Sequence, residues 1–360
     1  MTHTPDRTSS PGAAISVGAR KIGPGESCFV IAEAGVNHNG DERLAHRLVD
    51  VAADAGADAV KFQIFDAAQV AAPDAAKALY QAERTGASES QLDMLRRLAL
   101  PVPVFRELQQ HAAARGVLFL SSPFDLPSAD ALVALDPPAI KVASGEVTNH
   151  PLLARLARAG KPLLISTGMC DMAEVAEALA VVRRNGDPAV ALFHCVTNYP
   201  AQPADCNLAA MHTMRATFGL PVGWSDHTEG INLSLAAVAM GADMLEKHYT
   251  LDRAMEGPDH AASLEPEALA ALVAGVRDIE AARGSGIKGP AQSERALALV
   301  VRRSLHAARA LPAGTVLRDE DLIALRPGTG IPPSRIAAVV GRSLRVKLDA
   351  LARLSDDDLE

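Results

Sequence analysis

Eight short apolar runs alternating with helical-period segments, the small-residue turns that introduce them, and a Gly-rich stretch at 284–290 predict an α/β chain: a (β/α)8 barrel followed by a small, mostly-β domain. The runs are CFVIAE (28–33), DAVKFQ (58–63), VLFLSS (117–122), AIKVAS (139–144), PLLIST (162–167), AVALFHC (189–195), PVGWSD (221–226) and DMLEKH (243–248). In Ala55-Gly56-Ala57-Asp58 and Met240-Gly241-Ala242-Asp243 a Gly ends the preceding helix and an Asp opens the strand. Within the first helical segment, Leu44, Leu48, Val51 and Ala55 recur at helical spacing and would bury one stripe against the sheet. The connection from Ile64 to Glu89 is long for a compact domain, and is expected to be a lid, a substrate-contacting loop or a disordered insertion.

Residues 1–25 are polar, rich in Ser, Pro, Gly and Arg, and lack an apolar stretch, so a disordered tail is expected rather than a signal peptide or anchor. The barrel is assigned to 26–283, a linker to 284–302 and the small domain to 303–360. In the last, the runs SLHAARAL (304–311), LIALRP (322–327) and RVKLDA (345–350) read as short strands between Pro/Gly turns.

Composition narrows the functional classes. Nearly half of the 360 residues are apolar but only 3% are aromatic, and the apolar set is mostly Ala, Val and Leu, which suits parallel strands under small-faced helices. A formal net charge of −8 with no Lys/Arg block argues against a nucleic-acid groove, while local lysines can still receive an anionic small molecule. No run of about 20 apolar residues is present, so no membrane span is expected. Cys28, Cys170, Cys195 and Cys206 form no C-x-x-C pair and read as reduced packing thiols of a cytoplasmic protein.

In a (β/α)8 barrel the reacting groups sit at the C-terminal ends of the strands. Polar residues cluster there on all eight runs: Glu33; Lys61 and Gln63; Ser121 and Ser122; Lys141 and Ser144; Ser166 and Thr167; His194 with Asn198 beyond; Ser225, Asp226 and His227; Glu246 and His248. Any one of these can be a solvated strand end; all eight together mark the barrel mouth as the site. Two lysines among Ser and Thr hydroxyls make an anion site for a phosphate or carboxylate, and the same lysines can pair with Glu33, Glu146 or Glu246. His227 and His248 end adjacent runs and can either share one cation, of Mn, Fe or Zn type, or serve as structural hydrogen-bonding groups.

The segments IAEAGVNHNG, AVKFQ, KVASGEVTN, STGM, HCVTNYP, VGWSDHTEG, LEKHYTLD, EGPDHAASLEP, GSGIKGP and RPGTGI, in this order and spacing, resemble the sialic acid synthase family over nearly the whole chain beyond the N-terminal tail. The resemblance implies a phosphoenolpyruvate-dependent nonulosonate synthase: a TIM barrel with a C-terminal SAF domain similar to type III antifreeze proteins, working as a homodimer with swapped C-terminal domains. Its expected reaction joins phosphoenolpyruvate, N-acetylmannosamine and water to give N-acetylneuraminate and phosphate. By the same likeness phosphoenolpyruvate contacts fall on Lys61, Lys141, Ser144, Ser166, Asn198, Tyr199 and Ser225, sugar contacts on Gln63, Asp259 and Arg326, and a divalent metal, Mn2+ or Mg2+, on His227 and His248. Trp224 stands where the family more often has Tyr.

The implied chemistry is aldol-like: C3 of phosphoenolpyruvate attacks C1 of the metal-polarised open-chain sugar, water captures C2, and phosphate leaves by C–O cleavage. Glu33, Glu146 and Glu246 are the candidates for proton transfer, Glu33 or Glu146 foremost, and each is expected with a lowered pKa beside a cation and two lysines. A second reading is an N,N'-diacetyllegionaminate synthase, whose 2,4-diacetamido-2,4,6-trideoxymannose substrate carries a second acylamino group at C4 and no hydroxyl at C6; the 64–89 connection and its surroundings are expected to decide between the sugars. A catalytically silent barrel with an antifreeze-like module is the reading from another class, and the intact lysine and histidine set counts against it.

Overall fold

The computed structural model describes residues 13–86 and 89–360, and its first elements form a hairpin. Strands β1 (Ile15–Val17) and β2 (Arg20–Ile22) pair antiparallel across Gly18-Ala19, with Gly18 at φ +58° as a two-residue hairpin turn requires. This corrects the expectation of a disordered tail for residues 13–25; residues 1–12 of that tail lie outside the described residues. Alternation explains the order: Ile15, Val17 and Ile22 turn inward and are buried, while Ser16 and Lys21 face solvent.

All eight predicted runs then form strands of one parallel sheet. They are β3 (Phe29–Gly35), β4 (Ala59–Ile64), β5 (Leu118–Pro123), β6 (Ile140–Val142), β7 (Leu163–Ser166), β8 (Val190–Cys195), β9 (Val222–Asp226) and β10 (Met244–His248). The ladder runs β5-β4-β3-β10-β9-β8-β7-β6, so seven junctions are hydrogen-bonded and the eighth, between β5 and β6, carries no ladder. A near-closed barrel results. Helices cover its outer face; the first, Glu42–Asp54, starts where the Asp41 carboxylate accepts from the N–H groups of Arg43 and Leu44.

Period-two alternation divides each strand between two environments. Val30, Ala32, Val60 and Phe62 point outward into the large core shared with the helices, among them Leu48 and Phe105. Phe29, Ile31, Ala59, Leu120, Ala139, Leu164, Ala191, Phe193 and Met244 point inward, where Ile15, Val17 and Ile22 of the hairpin join them and plug the end of the barrel opposite the mouth. Gly223 is at an inward position for want of room: a Cβ there would sit 2.4 Å from the Met244 carbonyl oxygen.

The long connection after β4 is not a disordered insertion in its described residues. It folds into helices Ala67–Val70, Leu79–Thr85 and, past its expected end, Gln91–Leu98. Buried Lys77 ties the segment together, its Nζ donating to Thr85 Oγ1 (2.8 Å), the Gly86 carbonyl (2.9 Å) and Glu89 Oε2 (2.9 Å).

Contacts divide the chain after Gly284. In the second unit, helix Glu294–Val301 occupies much of the stretch expected to be linker. β11 (Ser304–Ala307) and β12 (Leu322–Leu325) pair antiparallel over a core of Leu305, Leu317, Leu344 and Leu354. The third expected strand, 345–350, does not form; Leu348 makes only a bridge to Leu311. Among the described residues no helix is long and apolar enough to cross a membrane.

The hairpin's role as a plug has a measurable consequence. Ile22→Ala is expected to cost about 2–5 kcal/mol in urea unfolding, as for a buried large-to-small change, whereas Ser16→Ala on the exposed face stays within about 0.5 kcal/mol.

Candidate active site

At the mouth the inward positions change character. One alternation beyond the apolar layer, Ile31 gives way to Glu33, Ala59 to Lys61, Leu120 to Ser122, Ala139 to Lys141, Leu164 to Ser166, Phe193 to Cys195, Gly223 to Ser225 and Met244 to Glu246. These side chains line a cavity of about 300 Å³.

Glu246 lies at its centre. Its Oε1 is 3.3 Å from Lys141 Nζ and accepts from Ser225 Oγ (3.2 Å), while its Oε2 is 3.8 Å from Lys61 Nζ. Lys61 also meets Glu33 Oε2 (3.0 Å) and donates to Ser122 Oγ (3.1 Å); Lys141 donates to Ser166 Oγ (2.7 Å). Gln63 Nε2 donates to Glu33 Oε1 at 3.2 Å. Ser144 Oγ accepts from the Gly168 N–H at 2.9 Å, and Gly168 has no room for a Cβ because Thr197 Oγ1 and Cys195 Sγ crowd the same point.

Burial and neighbours push the titrating groups apart. Burial opposes the charge on Glu246, but Lys141 and Lys61 outweigh it and hold the carboxyl below its ordinary value. For Glu33 burial prevails over the pull of Lys61, and the carboxyl is raised. Burial also opposes charge on both lysines; Glu246 and Glu33 overcome it at Lys61, which is raised, whereas Lys141 stays lowered despite Glu246. Burial, assisted by Glu33 and partly opposed by His227, pushes Asp259 up to about 6. The expectation that all three candidate glutamates are lowered is therefore corrected: Glu246 is, Glu33 is not, and burial raises Glu146 as well.

Of the predicted site residues, Glu33, Lys61, Gln63, Lys141, Ser144, Ser166, Tyr199, Ser225, His227, Glu246, His248 and Asp259 line this one cavity. Two others in the barrel do not. Glu146 lies in the turn Ser144–Glu146, where its Oε2 accepts from Asn149 Nδ2 (2.7 Å). Asn198 is passed over in favour of its neighbour Thr197, which continues the inward parity of Phe193 and Cys195. Arg326 belongs to the second unit, directly after β12. His194, Asp226 and Thr167, polar strand ends of the wrong parity, are used outside the cavity: His194 Nε2 meets the Cys206 carbonyl (2.8 Å), Asp226 pairs with Lys247 (3.0 Å), and Thr167 Oγ1 donates to the Phe193 carbonyl (2.8 Å).

Sequence reasoning missed Cys195 and the cavity's apolar side. Cys195 is no mere packing thiol: it lines the cavity, and although burial opposes a thiolate, His227, Ser144 and Lys141 bring its pKa down to about 7. Val36, Phe65, Val70, Met94, Leu95, Leu98 and Phe124 supply the apolar wall.

The imidazoles of His227, just beyond β9, and His248, on β10, have ring centroids 5.3 Å apart, with the Tyr199 ring against both, at 4.1 and 5.5 Å. An N–H on His227 Nδ1 reaches the Val196 carbonyl at 2.8 Å, which directs the Nε2 lone pair elsewhere. His248 is held neutral by burial and by His227, and its buried Nδ1 has no hydrogen-bond partner. This donor set suits a divalent cation carried by two imidazoles; among the described residues no third His, Cys, Asp or Glu completes a larger cluster.

Comparison with known proteins agrees with this geometry. The NeuB family matches residues 48–288 and the SAF domain residues 302–360. The N,N'-diacetyllegionaminic acid synthase of Legionella pneumophila is 44% identical over 95% of this chain and 98% of its own; that of Campylobacter jejuni is 46% identical over 87% and 95%. Among solved structures, the N-acetylneuraminic acid synthetase of Leptospira borgpetersenii superposes with a TM-score of 0.70 at 34% identity, over 80% of this chain and 95% of that one.

Two stability effects follow. Glu246→Gln leaves two buried ammonium groups short of counter-charge and is expected to cost about 3–5 kcal/mol in urea unfolding. Asp259 binds its proton more tightly folded than unfolded, so its contribution falls as pH rises from about 4 to 6. Asp259→Asn is then expected to stabilise the metal-free protein by on the order of 3 kcal/mol at pH 7, the gain shrinking toward pH 4.

Proposed function

The chain belongs to the NeuB family, and on that footing we propose that it is a nonulosonate synthase that condenses phosphoenolpyruvate with an N-acylated, open-chain mannose-type sugar. One observation carries the reading: two buried lysines converge with serine hydroxyls on a single carboxylate at the barrel mouth, beside two imidazoles. A phosphate or carboxylate entering there meets preorganised donors in a low-dielectric site.

In this proposal Lys61 and Lys141 hold phosphoenolpyruvate, with Ser144, Ser166 and Ser225 as further donors and Thr197 in place of Asn198. Glu33 is the proton-transfer group, because Glu146 is outside the cavity and Glu246 is engaged by both lysines. Burial raises the Glu33 carboxyl, and in this reading its acid form gives a proton to the aldehyde oxygen as C3 of phosphoenolpyruvate bonds to C1 of the sugar. As carboxylate it takes a proton from the water that adds at C2, and C–O cleavage then releases phosphate. His227 and His248 fit as holders of a divalent cation, Mn2+ or Mg2+, whose chemistry when bound is Lewis acidity toward a carbonyl oxygen. Gln63 and Asp259 face the sugar. A sugar contact from Arg326 and homodimerisation with exchanged C-terminal domains belong to the same proposal and rest on the family likeness.

For the sugar we favour 2,4-diacetamido-2,4,6-trideoxymannose, since the relatives named for its product are 44 and 46% identical to the chain. N-acetylmannosamine is the second reading, supported by the 34% identity to a solved N-acetylneuraminic acid synthetase. The deciding measurement is phosphate release from phosphoenolpyruvate with Mn2+, each sugar in turn, and a chelator control. Release with the first sugar, abolished by chelation, is expected; preference for N-acetylmannosamine would install the second reading, and no release with either would overturn the proposal. Lys141→Met is expected to lower kcat/KM for phosphoenolpyruvate by at least about 100-fold, the loss of charge-assisted hydrogen bonds worth about 3 kcal/mol.

A further inference from the structure

The cavity has two chemically different sides, and the order of strands around the barrel separates them. Lys141, Ser144 and Ser166 come from β6, β7 and the turn between them, while Lys61 lies inside β4, short of the strand end where the apolar residues begin. The apolar residues stand at the ends of β3, β4 and β5: Val36 follows β3, Phe65 follows β4, and Phe124 follows β5, its ring edge-on to Phe65 at 6.2 Å. Val70, Met94, Leu95 and Leu98 complete this side from the helices after β4.

Part of this wall is ordinary core, since Val36, Phe65, Met94 and Leu98 are all buried. The rest is open to an occupant: Leu95 and Phe124 are half-buried and Val70 is 37% exposed. The polar side chains beside it are the amides of Gln63, Gln81 and Gln91, with no lysine or arginine among them. The wall is also fixed in place. Lys77 binds Thr85, Gly86 and Glu89, and Glu89 meets Arg97 of the wall helix at 3.3 Å, so the surface is preformed rather than assembled around a ligand.

A bound sugar whose reacting end lies at the glutamates, lysines and imidazoles must direct its other end along one side or the other. In the synthase reading phosphoenolpyruvate takes the two lysines, Lys141 on β6 and Lys61 within β4 beneath the wall, which leaves the wall past the strand ends for the sugar. We infer that the apolar wall formed by Val70, Leu95 and Phe124 reads the distal end of the sugar and selects a C6 that carries no hydroxyl. A C6 methyl group buries apolar surface there, whereas a hydroxyl loses its water and finds no donor or acceptor on the wall. Acylamino groups meet amide side chains of matching polarity in Gln63 and Gln91. This inference rests on the synthase reading above and adds to it the residues that set sugar choice.

The test uses two sugars that differ in one atom, 2,4-diacetamido-2,4,6-trideoxymannose and its 6-hydroxy counterpart, 2,4-diacetamido-2,4-dideoxymannose, with phosphate release from phosphoenolpyruvate and Mn2+ as the readout. The unaltered enzyme is expected to favour the 6-deoxy sugar by about 10- to 100-fold in kcat/KM, the range a hydrophobic pocket achieves against an added hydroxyl. Phe124→Tyr and Val70→Thr each place a hydroxyl on the wall with little change of volume, and each is expected to narrow the ratio at least about 3-fold through a lower KM for the hydroxylated sugar, with KM for phosphoenolpyruvate unchanged. Val70 is exposed enough that its variant folds even if Phe124→Tyr does not. Equal use of the two sugars by the unaltered enzyme, or a ratio that neither variant moves, overturns the inference while leaving the synthase reading intact. No turnover of either sugar overturns the inference, and if N-acetylmannosamine is inert as well it overturns the synthase reading too.

Discussion

The site depends on one buried carboxylate. Glu246 reaches both lysines, and without it Lys61 and Lys141 would be two ammonium groups in a space where isolated charge is not tolerated. The compensation is uneven. Lys61 has two carboxylates and is raised; Lys141 shares one and is lowered, so the unmet demand for negative charge sits on the β6 side. In the proposed reading an arriving anion supplies there the charge the protein withholds. Glu33, raised by burial although Lys61 lies 3.0 Å from its Oε2, completes the asymmetry.

What places these groups together is strand parity. Each strand contributes an apolar residue to the plug layer and, two positions later, a polar residue to the cavity, so a single register decides both stability and chemistry. That rule is why so much was legible from sequence. The eight runs, their helices and most of the cavity residues were readable, because the alternation Ile31 to Glu33, Ala139 to Lys141 or Met244 to Glu246 is written in the chain. It also separates the residues that line the cavity from those that do not: His194 and Thr167 sit one position out of phase and hydrogen-bond the Cys206 and Phe193 carbonyls. Applied beyond the end of β8, the same parity would have chosen Thr197 over Asn198.

The remainder was hidden for physical reasons. The hairpin at 15–22 is two strands of three residues in a polar context, and its alternation, Ile15, Val17 and Ile22 about Gly18, is too short to stand out without the barrel interior that accepts it. The pKa of Glu33 depends on how completely it is buried, which no local pattern encodes. The apolar wall draws on three strand ends and on helices 67–70 and 91–98, brought together only by the closure of the barrel and the bonds of Lys77.

Because Ile15, Val17 and Ile22 close the far end, the barrel is a vessel with a single opening. The lysines lie on the strands themselves, and the apolar wall begins only past the strand ends, nearer that opening. In the proposed reading phosphoenolpyruvate, held by the lysines, lies deeper than a sugar at the wall, so it would enter first and leave last. The hairpin, remote from every reacting atom, would in that reading impose a sequence in time on events at the other end.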